Sequence, residues 1–260
     1  MLTADQIDHF HTFGFLHLRQ LFTADEVATM KREAEEIMSE AREGQPFDPT
    51  RTQAVQPFFE RRPFLAQIVD DDRIYSLGED FLGPDFVLDG TEGNCHVGDT
   101  GWHGARGQYG FLLEIKIAFY LDPLTRETGA LRVVPGSHRP DEPDPWAILR
   151  SRNDDPGFRP FGVRPCEIPS VTLETQPGDV VVFTEDLLHA AFGGVPGRHQ
   201  HAVSFFKNPQ TDEEVAYVRN HYERCLFSFH PTESYINSDR PRVQRMVSRL
   251  VELGFETLPV

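Results

Sequence analysis

The chain has 260 residues, 39% of them hydrophobic, a net charge of −16 and a mean hydropathy of −0.42, enough for one large domain with a real apolar core. The acid excess opposes a phosphate backbone and an acidic carrier protein, which argues against nucleic acid as a polymer and against carrier docking. No stretch nears the ~18 consecutive apolar residues of a membrane span, MLTADQIDHFHTFGF is no secretory signal, and the scattered Cys95, Cys166 and Cys225 form no CxxC, so a cytoplasmic location is expected.

Thr3-Ala-Asp-Gln6 and Thr23-Ala-Asp-Glu26 each spell a helix N-cap with its capping-box partner. After the second, Val27, Met30, Ala34, Ile37 and Met38 fall at helical spacing and predict a buried face. Gly14-Phe-Leu-His-Leu between them reads as a short strand. The N-terminal part, about 1–80, is therefore expected to be mostly helical. From about 86 to 208 the pattern changes to short strands rich in β-branched and aromatic residues. These are Phe86–Leu88, Leu112–Leu121, Ala130–Val134, Val171–Thr175, Asp179–Phe183 and His201–Phe206, separated by turns such as Pro135-Gly-Ser and Pro177-Gly-Asp. Many short strands with Gly/Pro turns predict a β-sandwich or jelly roll. Residues 138–170, rich in Pro, Asp and Arg, read as a long loop or lid. The last part, about 210–260, returns to helix, with Val243, Met246, Val247, Leu250 and Val251 on one face. The expectation is a single, mainly β domain with flanking helices.

Eleven histidines are present, and most give no clue. His9, His11 and His17 read as surface or half-buried, and His138 as a turn residue. His103 and His189 differ. One follows Trp102 just ahead of a long strand, and the other ends GDVVVFTEDLLH just after one. On separate strands of a jelly roll, two imidazoles can point into the same barrel mouth and suit Fe, Zn, Cu or Ni. Alone, the pair is equally readable as two satisfied core histidines.

The surrounding stretches carry more. WHGARG, IKIAFYLDPLTRETGALRVVPGSH and QPGDVVVFTEDLLHAAFGG, followed by an arginine, resemble the phytanoyl-CoA dioxygenase-like branch of the Fe(II)/2-oxoglutarate oxygenases, from the helical N-terminus to about residue 208. The resemblance implies a double-stranded β-helix, a cupin-like jelly-roll barrel with helices outside. It implies Fe(II) as the metal, 2-oxoglutarate and O2 as cosubstrates, His103 and His189 as metal ligands, and Arg198 as partner of the far carboxylate of 2-oxoglutarate. A guanidinium suits that role because its fork matches a carboxylate and stays charged when buried. Related sequences often place the arginine a residue or two later, where this chain has Gln200.

The family pattern wants a carboxylate at position 105, and this chain has Ala105. Three readings compete. The resemblance to halogenases with Ala or Gly at this position implies a site for chloride in place of the carboxylate. 2-Oxoglutarate would be decarboxylated to succinate, an aliphatic C–H hydrogen abstracted, and chlorine delivered to the carbon in place of hydroxyl. The second is a non-catalytic jelly-roll binding protein. The third is a hydroxylase whose Asp has been replaced, or one in which Asp99 or Glu114 reaches the metal instead. The first is the reading adopted, with a free-standing small molecule as substrate. Arg106, Arg139, Arg150 and Arg152 suggest an anionic one such as a nucleotide or nucleoside, or else an amino acid.

Overall fold

The computed structural model describes residues 1–105, 111–139, 143–151, 155–224 and 230–260. Its elements run α1 (Ala4–Phe13), β1 (Phe15–Leu18), α2 (Ala24–Ala41), β2 (Gln53–Val55), α3 (Pro63–Ile68), α4 (Asp72–Leu82), β3 (Phe86–His96), β4 (Thr100–His103), β5 (Glu114–Tyr120) and β6 (Leu131–Val133). They continue with α5 (Ala147–Arg150), β7 (Val171–Leu173), β8 (Asp179–Thr184), β9 (His189–Ala191), β10 (Arg198–Lys207), α6 (Asp212–Arg224), α7 (Glu233–Ile236) and α8 (Pro241–Glu252). Both expected capping boxes form, at Thr3 with Gln6 and at Thr23 with Glu26.

The strands make two antiparallel sheets. One has the order β1-β8-β5-β10-β3-β2 and the other β4-β9-β6-β7. Side chains alternate across a strand, so each face of the larger sheet has its own neighbours. Ile115, Ile117 and Phe119 of β5 point outward with Val180, Val182, Val203 and Phe205, into one apolar cluster with helical residues such as Met30, Ile37, Leu77, Val243 and Met246. Ala118, Tyr120, Val181 and Phe183 point the other way and meet Val133 and Leu173 of the smaller sheet. The result is a jelly roll with helices laid over its larger sheet, as expected.

The smaller sheet contains two strands that the sequence reading lacks, and they matter most. Trp102 of β4, with Leu188 and Ala190 at β9, faces outward onto a cluster with Val134, Leu149, Ile168 and Phe192. The next residues in the alternation, His103 and His189, therefore face inward. Leu149 and Ile168 belong to the segment expected to be a lid. Parts of that segment are instead packed down, with the indole N–H of Trp102 donating to the Pro165 carbonyl at 2.8 Å, while Ile148, Phe161 and Val163 stay exposed. Among the described residues no helix is long and apolar enough to cross a membrane. Cys95 and Cys166 are free thiols, and Cys225 lies outside the described residues.

Candidate metal and cosubstrate site

His103 and His189 are directly opposite each other in the β4–β9 register. Their ring centroids are 4.0 Å apart at 57°. Each Nδ1 lies 2.8 Å from a carbonyl two residues back, Gly101 for His103 and Leu187 for His189. A carbonyl only accepts, so each Nδ1 carries the proton and each Nε2 presents its lone pair. Two imidazoles, each oriented by its Nδ1 bond to a carbonyl, fit a divalent transition metal. Burial, with the neighbouring His103, lowers His189 to about 3, so it stays neutral at ordinary pH.

Both histidines line a cavity of about 210 Å³, and Arg198 lines it too. Arg198 is the first residue of β10, opposite His96 of β3, so its guanidinium is set by the sheet rather than by the preceding loop. It is 6% exposed. One Nη donates to the Gly129 carbonyl at 2.8 Å, while Nε and the other Nη find no partner among the described residues. A buried guanidinium with donors to spare is costly unless an anion receives them. A dicarboxylate with one end on Arg198 and the other towards the histidines fits that deficit. Gly129 makes room: at φ +93° it takes a conformation few residues tolerate, and a Cβ there would sit 2.8 Å from the Arg198 Nε. Gln200, two residues on, lines the same cavity and accepts from the Asn94 amide at 3.2 Å.

Ala105 follows the end of β4, two residues after His103, and the remaining residues singled out from the sequence fall elsewhere. The N–H of Ala105 donates to the Glu185 carbonyl at 2.8 Å, and its carbonyl accepts from Arg150. Asp99 is a turn residue, exposed, holding the Gly193 N–H at 2.7 Å. Glu114 lines a neighbouring cavity rather than the one holding the histidines. Neither supplies a carboxylate to the pair, and no three His, Cys, Asp or Glu side chains converge as metal ligands among the described residues. Arg150 does not face a ligand, contrary to expectation. It forms a buried ion pair with Asp144 at 2.9 Å and donates to the carbonyls of Asp186, Ala105 and Ser137. Its fork is used in tying the packed segment to the barrel. Arg139 is exposed, and Arg106 and Arg152 lie outside the described residues.

Sequence reasoning missed a half-buried ionic row beside the histidines. The Nζ of Lys116 lies 3.0 Å from Glu185 and 3.3 Å from Glu92. Burial works to raise Glu185, but Lys116 and the two histidines outweigh it and hold the carboxyl below its usual range. His96, lowered to about 4 by burial and then by Arg198, lines the cavity as well. Tyr120, raised to about 12 by burial, completes that end. The signal was available: Glu114, Lys116 and Tyr120 alternate with Ile115, Ile117 and Phe119, and in a closed barrel the polar set faces the lumen.

The family model for phytanoyl-CoA dioxygenase (PhyH) matches residues 10–195, most of the chain. The chain belongs to the phytanoyl-CoA dioxygenase family. This PhyH chain is 32% identical over 117 residues to the uncharacterized protein Rv1501 of Mycobacterium tuberculosis, covering 42% of this chain and 34% of that protein. It is 26% identical over 155 residues to the ectoine dioxygenase of Bordetella parapertussis, covering 53% of this chain and 50% of that protein. It thus spans a third to a half of the curated relatives it matches. Among solved structures it resembles apo EctD from S. alaskensis, with TM-score 0.58, 22% identity and coverage of 79% and 77% of the two chains. It also resembles the α-ketoglutarate-dependent carbocyclase SnoK, with TM-score 0.60, 18% identity and coverage of 80% and 85%. These likenesses establish the jelly-roll fold. EctD has also been solved with bound Fe and with 2-oxoglutarate and 5-hydroxyectoine.

Proposed function

We propose that residues 1–260 act as one Fe(II)/2-oxoglutarate-dependent catalytic unit that halogenates an aliphatic C–H of a free-standing small molecule. The observation that carries this is the facing His103–His189 pair with no third ligand side chain among the described residues. Family membership supports the oxygenase part. Ala105, with a methyl where a carboxylate is usual, supports the halide part, because an anion coordinated there keeps the charge balance a carboxylate would give.

Each residue has a distinct task. His103 and His189 hold the metal through Nε2, their rings fixed by the Gly101 and Leu187 carbonyls. Arg198 binds the far carboxylate of 2-oxoglutarate and so orients its keto-acid end towards the histidines. Lys116 pairs with both Glu185 and Glu92 beside the metal position. When bound, Fe(II) with 2-oxoglutarate, O2 and chloride supplies the oxidative chemistry.

A second reading follows from Glu185. Its charge is felt by both histidines. Were it to leave Lys116 and swing to the metal, it would replace the missing carboxylate and make the enzyme a hydroxylase.

The test is anaerobic. Add Fe(II) and 2-oxoglutarate and record the visible charge-transfer band with and without chloride. A band that shifts with chloride is expected. A chloride-indifferent band that Glu185→Gln abolishes would establish the second reading. Ala105→Asp should remove the chloride shift and turn any chlorinated product towards hydroxylated. Unchanged chlorination would show that residue 105 does not face the metal.

A further inference from the structure

A second cavity, of about 310 Å³, adjoins the first. The two share Glu92 and Lys116, so the Lys116 ion pairs form part of the partition between them. On its far side the second cavity is lined by Glu60, Asp89 and Glu114, with Glu185 at the partition. Among the described lining residues the charges opposing these acids are Lys116 and, when protonated, His230. Leu88, Val247 and Pro57 supply apolar wall.

Two groups here have polar valence unspent. Ser204, 6% exposed, lines the cavity and its hydroxyl makes no hydrogen bond among the described residues. The Glu114 carboxyl likewise accepts no hydrogen bond and forms no ion pair there. Both are thus open to a ligand in the cavity.

We propose that this chamber binds the substrate through a positively charged organic group, an ammonium, guanidinium or amidinium, held by Glu114 with Asp89 and Glu60, while its aliphatic part reaches past Lys116 towards the histidine pair. The proposal rests on the oxygenase reading above and names its substrate class. It replaces the anionic substrate suggested by the arginines, since Arg150 is consumed in internal bonds.

The cation is organic rather than a metal ion for two reasons. No three acidic or histidine side chains converge as ligands among the described residues. The volume is that of a small-molecule site and far exceeds a bare ion. The electrostatics agree. Burial, then the charges of Asp89 and Glu185, push Glu114 well above the usual carboxylate range. Burial raises Glu60 to about 7, against the Thr91 hydroxyl that donates to it. An ammonium placed there offsets the charges of Asp89 and Glu185 felt by Glu114, and gives both carboxyls an opposite charge against which to ionise. Ser204 adds an acceptor for one of its N–H groups.

The probes are n-pentylamine, pentanol and pentanoate, one chain with a positive, neutral and negative head. Bind each to the protein loaded anaerobically with Fe(II) and 2-oxoglutarate, reading heat by calorimetry and the charge-transfer band by absorbance. Pentylamine should bind at least about 10-fold more tightly than the other two, roughly the cost of one unpaired buried group. Glu114→Gln, close in shape, should erase that preference, and Glu60→Gln should reduce it, with far-ultraviolet circular dichroism confirming folding. Equal binding of the three probes, or a preference that survives in Glu114→Gln, would overturn the proposal. So would magnesium that displaces pentylamine and is itself lost in Glu114→Gln, since the chamber would then be an ion site. Selective amine binding without any charge-transfer band would uphold the chamber and sink the iron reading. A band without amine selectivity would do the reverse.

Discussion

The two faces of the larger sheet are made from the same strands and do opposite work. On β5 the outward residues Ile115, Ile117 and Phe119 are 0–2% exposed and pack under the helices. The inward residues Glu114 and Lys116 are ionisable, and Tyr120 carries a buried phenol. On β10 the same alternation gives Val203 and Phe205 outward, and Arg198, Gln200 and Ser204 inward. The lesson is a division of labour. The outer face supplies the apolar burial that stabilises the fold, roughly 1.5–3 kcal/mol for each fully buried large side chain. That lets the inner face hold charges whose burial is costly without making the fold fail. Inner-face substitutions should therefore change binding far more than stability, and outer-face ones the reverse.

The sharpest test is the histidine pair. His103→Ala or His189→Ala should abolish Fe(II) binding, read as iron per chain after anaerobic loading and desalting. The circular dichroism melt should barely change, because each ring already costs desolvation in the cavity. Retained iron would break the assignment. Next comes Arg198. Arg198→Ala should weaken 2-oxoglutarate binding by about 2–5 kcal/mol, the usual cost of removing one partner of a buried charged pair. Arg198→Lys should recover only part of this, since it keeps the charge and loses the fork. Titration of the charge-transfer band measures both. Full affinity in Arg198→Ala would mean that the unpaired donors of this residue serve something else.

Much of this division was legible in the residues. Both capping boxes, the α2 face and the apolar runs of β5, β8 and β10 show in periodicity because many residues repeat one preference. The histidines were legible from the motifs around them. The strands that aim them were not: β4 and β9 are four and three residues long. So short a run has no periodicity, and its conformation comes from pairing with a partner distant in sequence. For the same reason Arg198 read as a loop residue, although its ladder to β3 fixes it. The 138–170 segment, with its prolines and charges, looked loose. Composition does not reveal that Leu149 and Ile168 are covered by Trp102 and Phe192. The charged lumen was hidden by the habit of sending polar residues of an alternating strand to solvent, which holds for an open sheet and fails in a barrel.

On the outer face, Ile117→Ala should cost about 2–5 kcal/mol of stability, the range for truncating a buried aliphatic side chain. Urea unfolding measures it. Affinity for 2-oxoglutarate in the folded fraction should stay within a factor of about two, well under the tenfold that 1.4 kcal/mol represents. A loss of affinity as large as that of Arg198→Ala would show that the two faces are mechanically coupled and that the division is too simple.

The smallest effect concerns an outward residue that breaks the apolar pattern. His201 sits on β10 between inward Gln200 and Ala202, is 1% exposed, and stacks on Phe58 at 4.8 Å and 9°. Neither ring nitrogen has a hydrogen-bond partner among the described residues. Burial, then the nearby His199, lowers it to about 3. In the unfolded chain it titrates at about 6.5. As pH falls below that value the unfolded state takes up a proton that the folded state refuses. The stability His201 contributes is therefore complete above about pH 6.5 and is lost progressively down to about pH 3. His96 and His138, each lowered to about 4, act in the same direction. His201→Leu keeps an apolar side chain against Phe58 and removes one of these protons. Its urea midpoint should fall less steeply than that of the unsubstituted chain between about pH 7 and pH 5. Parallel slopes would mean that the ring finds a proton-accepting partner on acidification, and that the outer face is not as apolar at β10 as its neighbours make it.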